Sequence, residues 1–228
     1  MTNLFSIFDP STSTTCSFNW LSLTMWFILF TPMYWMLPSR MNMLWIKLLF
    51  FMNNSMSSPK MNSSFKGSNL MIISVFCLIL LNNFMGIFPY IFTSTTHLSI
   101  TLSLSLPLWL TFIIFSYTNN LIHMLAHKVP YNTPLLMSPF MVMIETLSIL
   151  MRPSTLAIRL MANMMAGHLI LELIGLMGVS MMDNISISWI LIILQMILLI
   201  LEMTVAIIQA YVFFILILMY SKEAMNIN

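Results

Sequence analysis

Residues 152–168 read RPSTLAIRLMANMMAGH. Arg159 stands inside this very apolar run with no opposite charge nearby, and a guanidinium keeps its proton under essentially all conditions. At mid-bilayer even lenient insertion scales assign it a cost of roughly 2.5 to 3.5 kcal/mol. A group held there needs a partner or a task. The solvent around it follows from composition: of 228 residues, 60% are hydrophobic and 6% charged, against roughly 25% charged in a soluble domain. The mean hydropathy is +0.96. Long apolar runs separated by polar breaks predict a single-domain, all-α integral membrane protein, because helices satisfy their own backbone polar groups in lipid.

Outward from this stretch, two unusually long apolar segments close the chain, 135–178 and 185–221. As one helix the second is roughly 55 Å long at ~1.5 Å per residue, so a ~30 Å hydrocarbon core demands strong tilt, a kink or projection from the membrane. Both are expected to lie obliquely, with Pro139 and Pro153 bending the first. MGVSMMDNIS, holding Gly178, Asp183 and Asn184, supplies the turn between them.

Upstream, residues 1–18 form a polar arm and 19–38 a first span, with Trp20, Trp26, Tyr34 and Trp35 toward its ends as interfacial aromatics. Residues 40–66 read as an amphipathic surface helix and then a loop. Further spans cover 69–91 and 97–117, joined by the uncharged FTSTT, and 118–134 forms a loop marked by Pro130 and Pro134. About five membrane helices result, with a tail at 222–228. If they alternate, Arg40, Lys47, Lys60, Lys66, Lys128 and Lys222 share one side, and Asp9 and Asp183 the other. The positive-inside rule puts the basic side in the matrix or cytoplasm.

Several classes drop out. A net charge of +2, dispersed along the chain, gives no nucleic-acid footprint. Cys16 and Cys77 are too far apart in character to suggest a disulfide framework. His123 and His127, four apart, share a helical face like metal ligands, but no Cys or carboxylate joins them and a hydrated interfacial helix accounts for them equally. No metal or cofactor is expected. The five glycines form no phosphate-cradling loop followed by Lys and Ser/Thr. The N-terminus lacks a basic or Arg-rich amphipathic leader, which suggests synthesis inside the compartment of use. The 26 methionines are a composition that AT-rich mitochondrial genomes commonly produce.

Polar seams mark the two long segments. Glu145, Arg152 and Arg159 are spaced seven and seven, as are Gln195, Glu202 and Gln209; each step of seven returns a helix to nearly one face. Asn163 stays near the Arg159 face, whereas His168 points nearly opposite. Reflecting the pair about residue 184 sets Arg159 level with Gln209, His168 near Glu202, and Glu172 near Gln195. One guanidinium–amide layer and one His–carboxylate layer are therefore expected. Plainer readings stand beside this one: Arg159 salt-bridged to Glu202 or Glu145; Glu145, Glu202 and His168 as buried structural polars; Glu172 bonded to His168; Arg152 at an interface; and Gln209, Asn163 and Gln195 as interhelical glue. A secondary transporter would also use midplane charges, but the chain shows no obvious repeat. A structural scaffold would tolerate an uncharged residue at 159.

FPYIFTSTTHLSITLSLSLPLW, LAHKVPYNTP, MIETLSIL, LAIRLMANMMAGHLILELIG and LEMTVAIIQAYVFFIL lie in the part of the chain from about Gly67 onward, which resembles subunit a of the F-type ATP synthases. The resemblance implies a non-catalytic, proton-translocating stator subunit of the mitochondrial inner membrane. Its N-terminus would face the intermembrane space and its C-terminus the matrix, with two tilted helices against a ring of c subunits. The other partners it implies are peripheral-stalk and further membrane subunits, the lipid bilayer and protons. By motif position, Arg159 resembles the stator arginine, His168 and Glu202 the intermembrane-space half-channel pair, and Glu145 the matrix half-channel acid. Asn163 and Gln209 match polar neighbours of the arginine. Glu172 falls outside the usual pattern, and Asn132 stands where the family usually has Gly, a position Asn tolerates when left-handed.

Overall fold

The computed structural model describes residues 4–29, 36–57, 67–119, 121–129, 134, 136–181 and 184–226. They form α1 (Arg40–Ser57), α2 (Ser68–Gly86), α3 (Leu98–Asn119), α4 (Leu121–His127), α5 (Ser138–Ser180) and α6 (Ile185–Asn226), with short 3₁₀ segments at Leu4–Phe8, Phe18–Leu29 and Ser94–Thr96. The chain is all-helical, with no strand among the described residues. Among the described residues, four helices are long and apolar enough to cross a membrane: Asn69–Gly86, Leu98–Thr118, Ser138–Ser180 and Ser186–Ser221. The expected first span at 19–38 begins as the 3₁₀ segment Phe18–Leu29, and its residues 30–35 lie outside the described residues.

Helix ends depart from expectation for local reasons. α2 stops at Gly86 rather than running to 91. Pro89 has no N–H and pushes the preceding residue out of the helical region, and Tyr90 takes a positive φ of 69°. Pro139 does not bend α5; it occupies the first turn, where its missing N–H has no intrahelical partner to lose. Only Pro153 lies inside that helix, where it is buried. The expected loop at 118–134 contains the short α4. α6 continues to Asn226, past the expected end at 221, because Lys222, Glu223, Ala224 and Met225 are strong helix formers. At 43 and 42 residues, α5 and α6 are roughly 65 and 63 Å long.

α6 is the central element, packed against α2, α3 and α5, and α3 also packs on α5. Phe76 of α2 meets Phe214 of α6 edge to face with centroids 5.6 Å apart. Around them Ile72, Ile79, Leu108, Leu156, Phe213 and Ile217 form the larger core cluster. A smaller cluster joins Ile87, Met164 and Ala206. Of the apolar windows, 44% is buried in α2 but only 11% in α5 and in α6, so the long hairpin turns most of its surface outward.

The turn after α2 is drawn into the protein. Thr93, Ser94, Thr95 and Thr96 are all buried, and the Thr96 hydroxyl donates to the Thr93 carbonyl at 2.7 Å. Gly86 permits this approach, since a Cβ there would lie 3.0 Å from Thr93 Cγ2. Trp20 packs on His97 and Phe92 at 5.1 and 5.9 Å, tying the N-terminal 3₁₀ segment to the turn.

Candidate functional site

Hydroxyls in the long helices are mostly satisfied locally. Thr101, Thr111, Ser116, Ser148, Thr155 and Thr204 each donate to the carbonyl three residues earlier, an arrangement that removes them as free polar groups. The polar groups that remain unsatisfied are more informative.

Two layers lie along the α5–α6 hairpin. In the first, Arg159 and Gln209 line one small cavity with Leu156, Leu160 and Phe213. Arg159 is exposed on the outer face of α5, whereas Gln209 is only 6% exposed. No carboxylate among the described residues lies within ion-pair reach of Arg159, which removes its pairing with Glu202 or Glu145. Asn163, four residues on, is also exposed, as the helical period requires.

In the second layer His168 Nε2 lies 3.4 Å from Glu202 Oε1, with the glutamate side chain 6% exposed. The contact is close enough for an ion pair, yet both carboxylate oxygens and His168 Nε2 lack a hydrogen-bond partner among the described residues. Gly167 makes the approach possible. A Cβ there would lie 3.0 Å from Glu202 Oε1 and 3.2 Å from Cδ, so any side chain would press on the carboxylate.

The other expected residues sit apart. Glu145 and Glu172 are half-buried and Gln195 is exposed. No hydrogen bond or ion pair among the described residues joins Glu172 to Gln195 or to His168. The Arg152 guanidinium lies over the Tyr220 ring, 5.5 Å from its centroid, a packing role within the bundle. The side chains of His123 and His127, and Asn132, lie outside the described residues. Cys16 is exposed and Cys77 buried, both unpaired.

Sequence reasoning missed three features: Asn83, fully buried on α2, Thr95 in the buried turn, and Gly167. Both side-chain polar atoms of Asn83, and Thr95 Oγ1, lack partners among the described residues. The NN pair interrupting the apolar run of α2 was the available signal for the first.

A family model described as ATP synthase A chain matches residues 14–222. The chain belongs to the ATP synthase A chain family. It is 51% identical over 224 residues to ATP synthase subunit a of Locusta migratoria, covering 98% of this chain and 99% of the relative. It is 50% identical over 223 residues to that of Drosophila melanogaster, with the same coverage, and 49% identical over 224 residues to that of Anopheles gambiae, again with 98% and 99% covered. Family membership and the four apolar helices make it a multi-pass membrane subunit with a general part in proton transport for ATP synthesis.

Proposed function

We propose that the chain is the stator side of a rotary proton path in the mitochondrial inner membrane: two offset half-channels facing a ring of c subunits, separated by Arg159. One observation carries this reading. Arg159 points out of its own chain, with no carboxylate of the described residues in reach, so its counter-charge comes from another chain. A carboxylate carried through lipid must be neutral, because an isolated ion there is very costly. Beside a permanent positive charge within ~4 to 6 Å it ionises. A moving carboxylate therefore gives up its proton on arriving at Arg159 and regains one before leaving.

His168 and Glu202 form the intermembrane-space half-channel that supplies this proton, and Glu145 receives it on the matrix side. Asn163 and Gln209 orient the guanidinium, and Glu172, one turn beyond His168, extends the entrance. Arg159 repels a proton that would hop directly between the half-channels, so flow is coupled to rotation. Each charge crossing gains ~2.3 kcal/mol per 100 mV. The length of α5 and α6 fits this geometry, since a helix of ~63 Å must lean strongly within a ~30 Å core and so sweep along a curved partner. ATP chemistry belongs to other subunits. Peripheral-stalk and neighbouring membrane subunits hold this one still, with its N-terminus in the intermembrane space and its C-terminus in the matrix.

The test is coupled proton pumping and passive leak in membranes carrying Arg159→Gln, with assembly measured in the same sample. Lost pumping with rising or persisting leak in assembled complexes supports the barrier. Normal coupled pumping there would sink it.

A further inference from the structure

The face of α2 that packs on α6 has one polar member that the proton path does not use. Ile72, Phe76 and Ile79 recur on it at helical steps, Ile87 continues the stripe just past the helix end, and Asn83 falls on the same line. Its side chain is 0% exposed, and both amide atoms lack a hydrogen-bond partner among the described residues. A second buried amide shares this condition. Gln209 is 6% exposed, with Nε2 and Oε1 both unpartnered among the described residues.

The contacts between α2 and α6 put the two amides at about one height. α2 is tied to α6 by the Phe76–Phe214 ring contact and by the cluster of Ile87 with Met164 and Ala206. Phe76 to Ile87 is eleven residues on α2, and Phe214 to Ala206 is eight on α6. Asn83, seven residues along from Phe76, is therefore level with about residues 207 to 209. Ala206 and Ala210, 2% and 0% exposed, flank that position with small side chains.

A glutamine amide has two faces: its carbonyl accepts, its NH₂ donates. A guanidinium only donates, so only the carbonyl face suits Arg159, with which Gln209 shares a cavity. Something must choose that face. We propose that Asn83 is a positioning residue: its amide, across one water, engages the Gln209 NH₂ and turns the carbonyl oxygen toward Arg159. Asn83 supplies the complementary acceptor and donor, and pairing satisfies atoms on both side chains at once. This rests on the reading of Arg159 as the barrier.

The experiment compares ATP-driven pumping per assembled complex in membranes carrying N83L, Q209L, the double variant, N83S and R159Q. N83L is expected to pump about five-fold less than the parent, the scale of one hydrogen bond. N83S, which keeps one polar group, loses less. In the Q209L background N83L adds little, because residues that act through one another do not add. A merely structural Asn83 would instead change assembly and give the product of the two single effects. Either that product, or assembled N83L pumping like the parent, overturns the proposal. Should N83L fail to assemble, N83A, which only removes atoms, takes its place with the same outcomes. Normal pumping in R159Q would sink the barrier reading itself, whereas lost pumping in R159Q beside an unaffected N83L overturns the Asn83 proposal alone.

Discussion

The two polar layers of the α5–α6 hairpin are built in opposite ways. The Arg159 layer is open: its charge lies on the outer face, with no carboxylate of the described residues in reach. The His168–Glu202 layer is closed: the carboxylate is buried, the imidazole is 3.4 Å away, and at Gly167 there is no space between α5 and the acid. In the proposed path, the exposed charge is addressed to another molecule, whereas the buried acid–imidazole pair is addressed to a proton arriving through the protein. In the proposed proton path, one hairpin thus separates a charge that must stay fixed from groups that must exchange protons.

The largest expected effect breaks the open layer. Arg159→Gln should cost coupled pumping more than about a hundred-fold, the scale of leaving a partner carboxylate unpaired in an apolar setting. Assembly and heat resistance of the complex should change little, since no ion pair among the described residues is lost. A large loss of assembly in this variant would mean that the layer is not open. Next comes the closed layer. Glu202→Gln keeps shape but not proton affinity, and pumping per assembled complex should fall about ten- to a hundred-fold, at or below the usual worth of a positioned acid–base group. Leak should stay low because Arg159 is untouched; increased leak would show that the layers do not divide the work as drawn.

Gly167→Ala sharpens the contrast. Its Cβ would stand 3.0 Å from Glu202 Oε1, and a flexible carboxylate can yield, so stability should change by less than about 1 kcal/mol. Pumping should nevertheless fall about three- to ten-fold as the acid is displaced. This sensitivity to a single methyl group belongs to the closed layer alone, because on the open side Arg159 and Asn163 are both exposed and no packed acid among the described residues stands beside them. Arg152→Gln removes the Tyr220 contact and should lower heat resistance by about 0.5 to 1 kcal/mol, with pumping per assembled complex unchanged. The smallest effect lies outside the membrane helices. The Ser11 backbone N–H donates to Asp9 Oδ1 at 3.0 Å and holds that carboxyl below its ordinary range. Its stabilisation is therefore present at neutral pH and is lost only as pH falls through the depressed value. Asp9→Asn should alter only that acid limb, as a pH series of heat resistance would show.

The all-α membrane class, two long terminal helices and the height of each polar layer were legible in the residues alone. Two helices of equal rise joined by a short turn must place residues equidistant from it at one level, which is why Arg159 came beside Gln209 and His168 beside Glu202. Which way these groups face was settled only by packing. Periodicity sets angles within a helix but not which neighbour occupies a face, so neither Arg159 outside nor Gln209 inside could be read in advance. The same holds for Asn83: its stripe is visible in the sequence, but that this stripe packs on α6 at the height of Gln209 depends on contacts such as Phe76 with Phe214, between residues far apart in the chain. Gly167 matters only because Glu202, thirty-five residues later, folds back onto it.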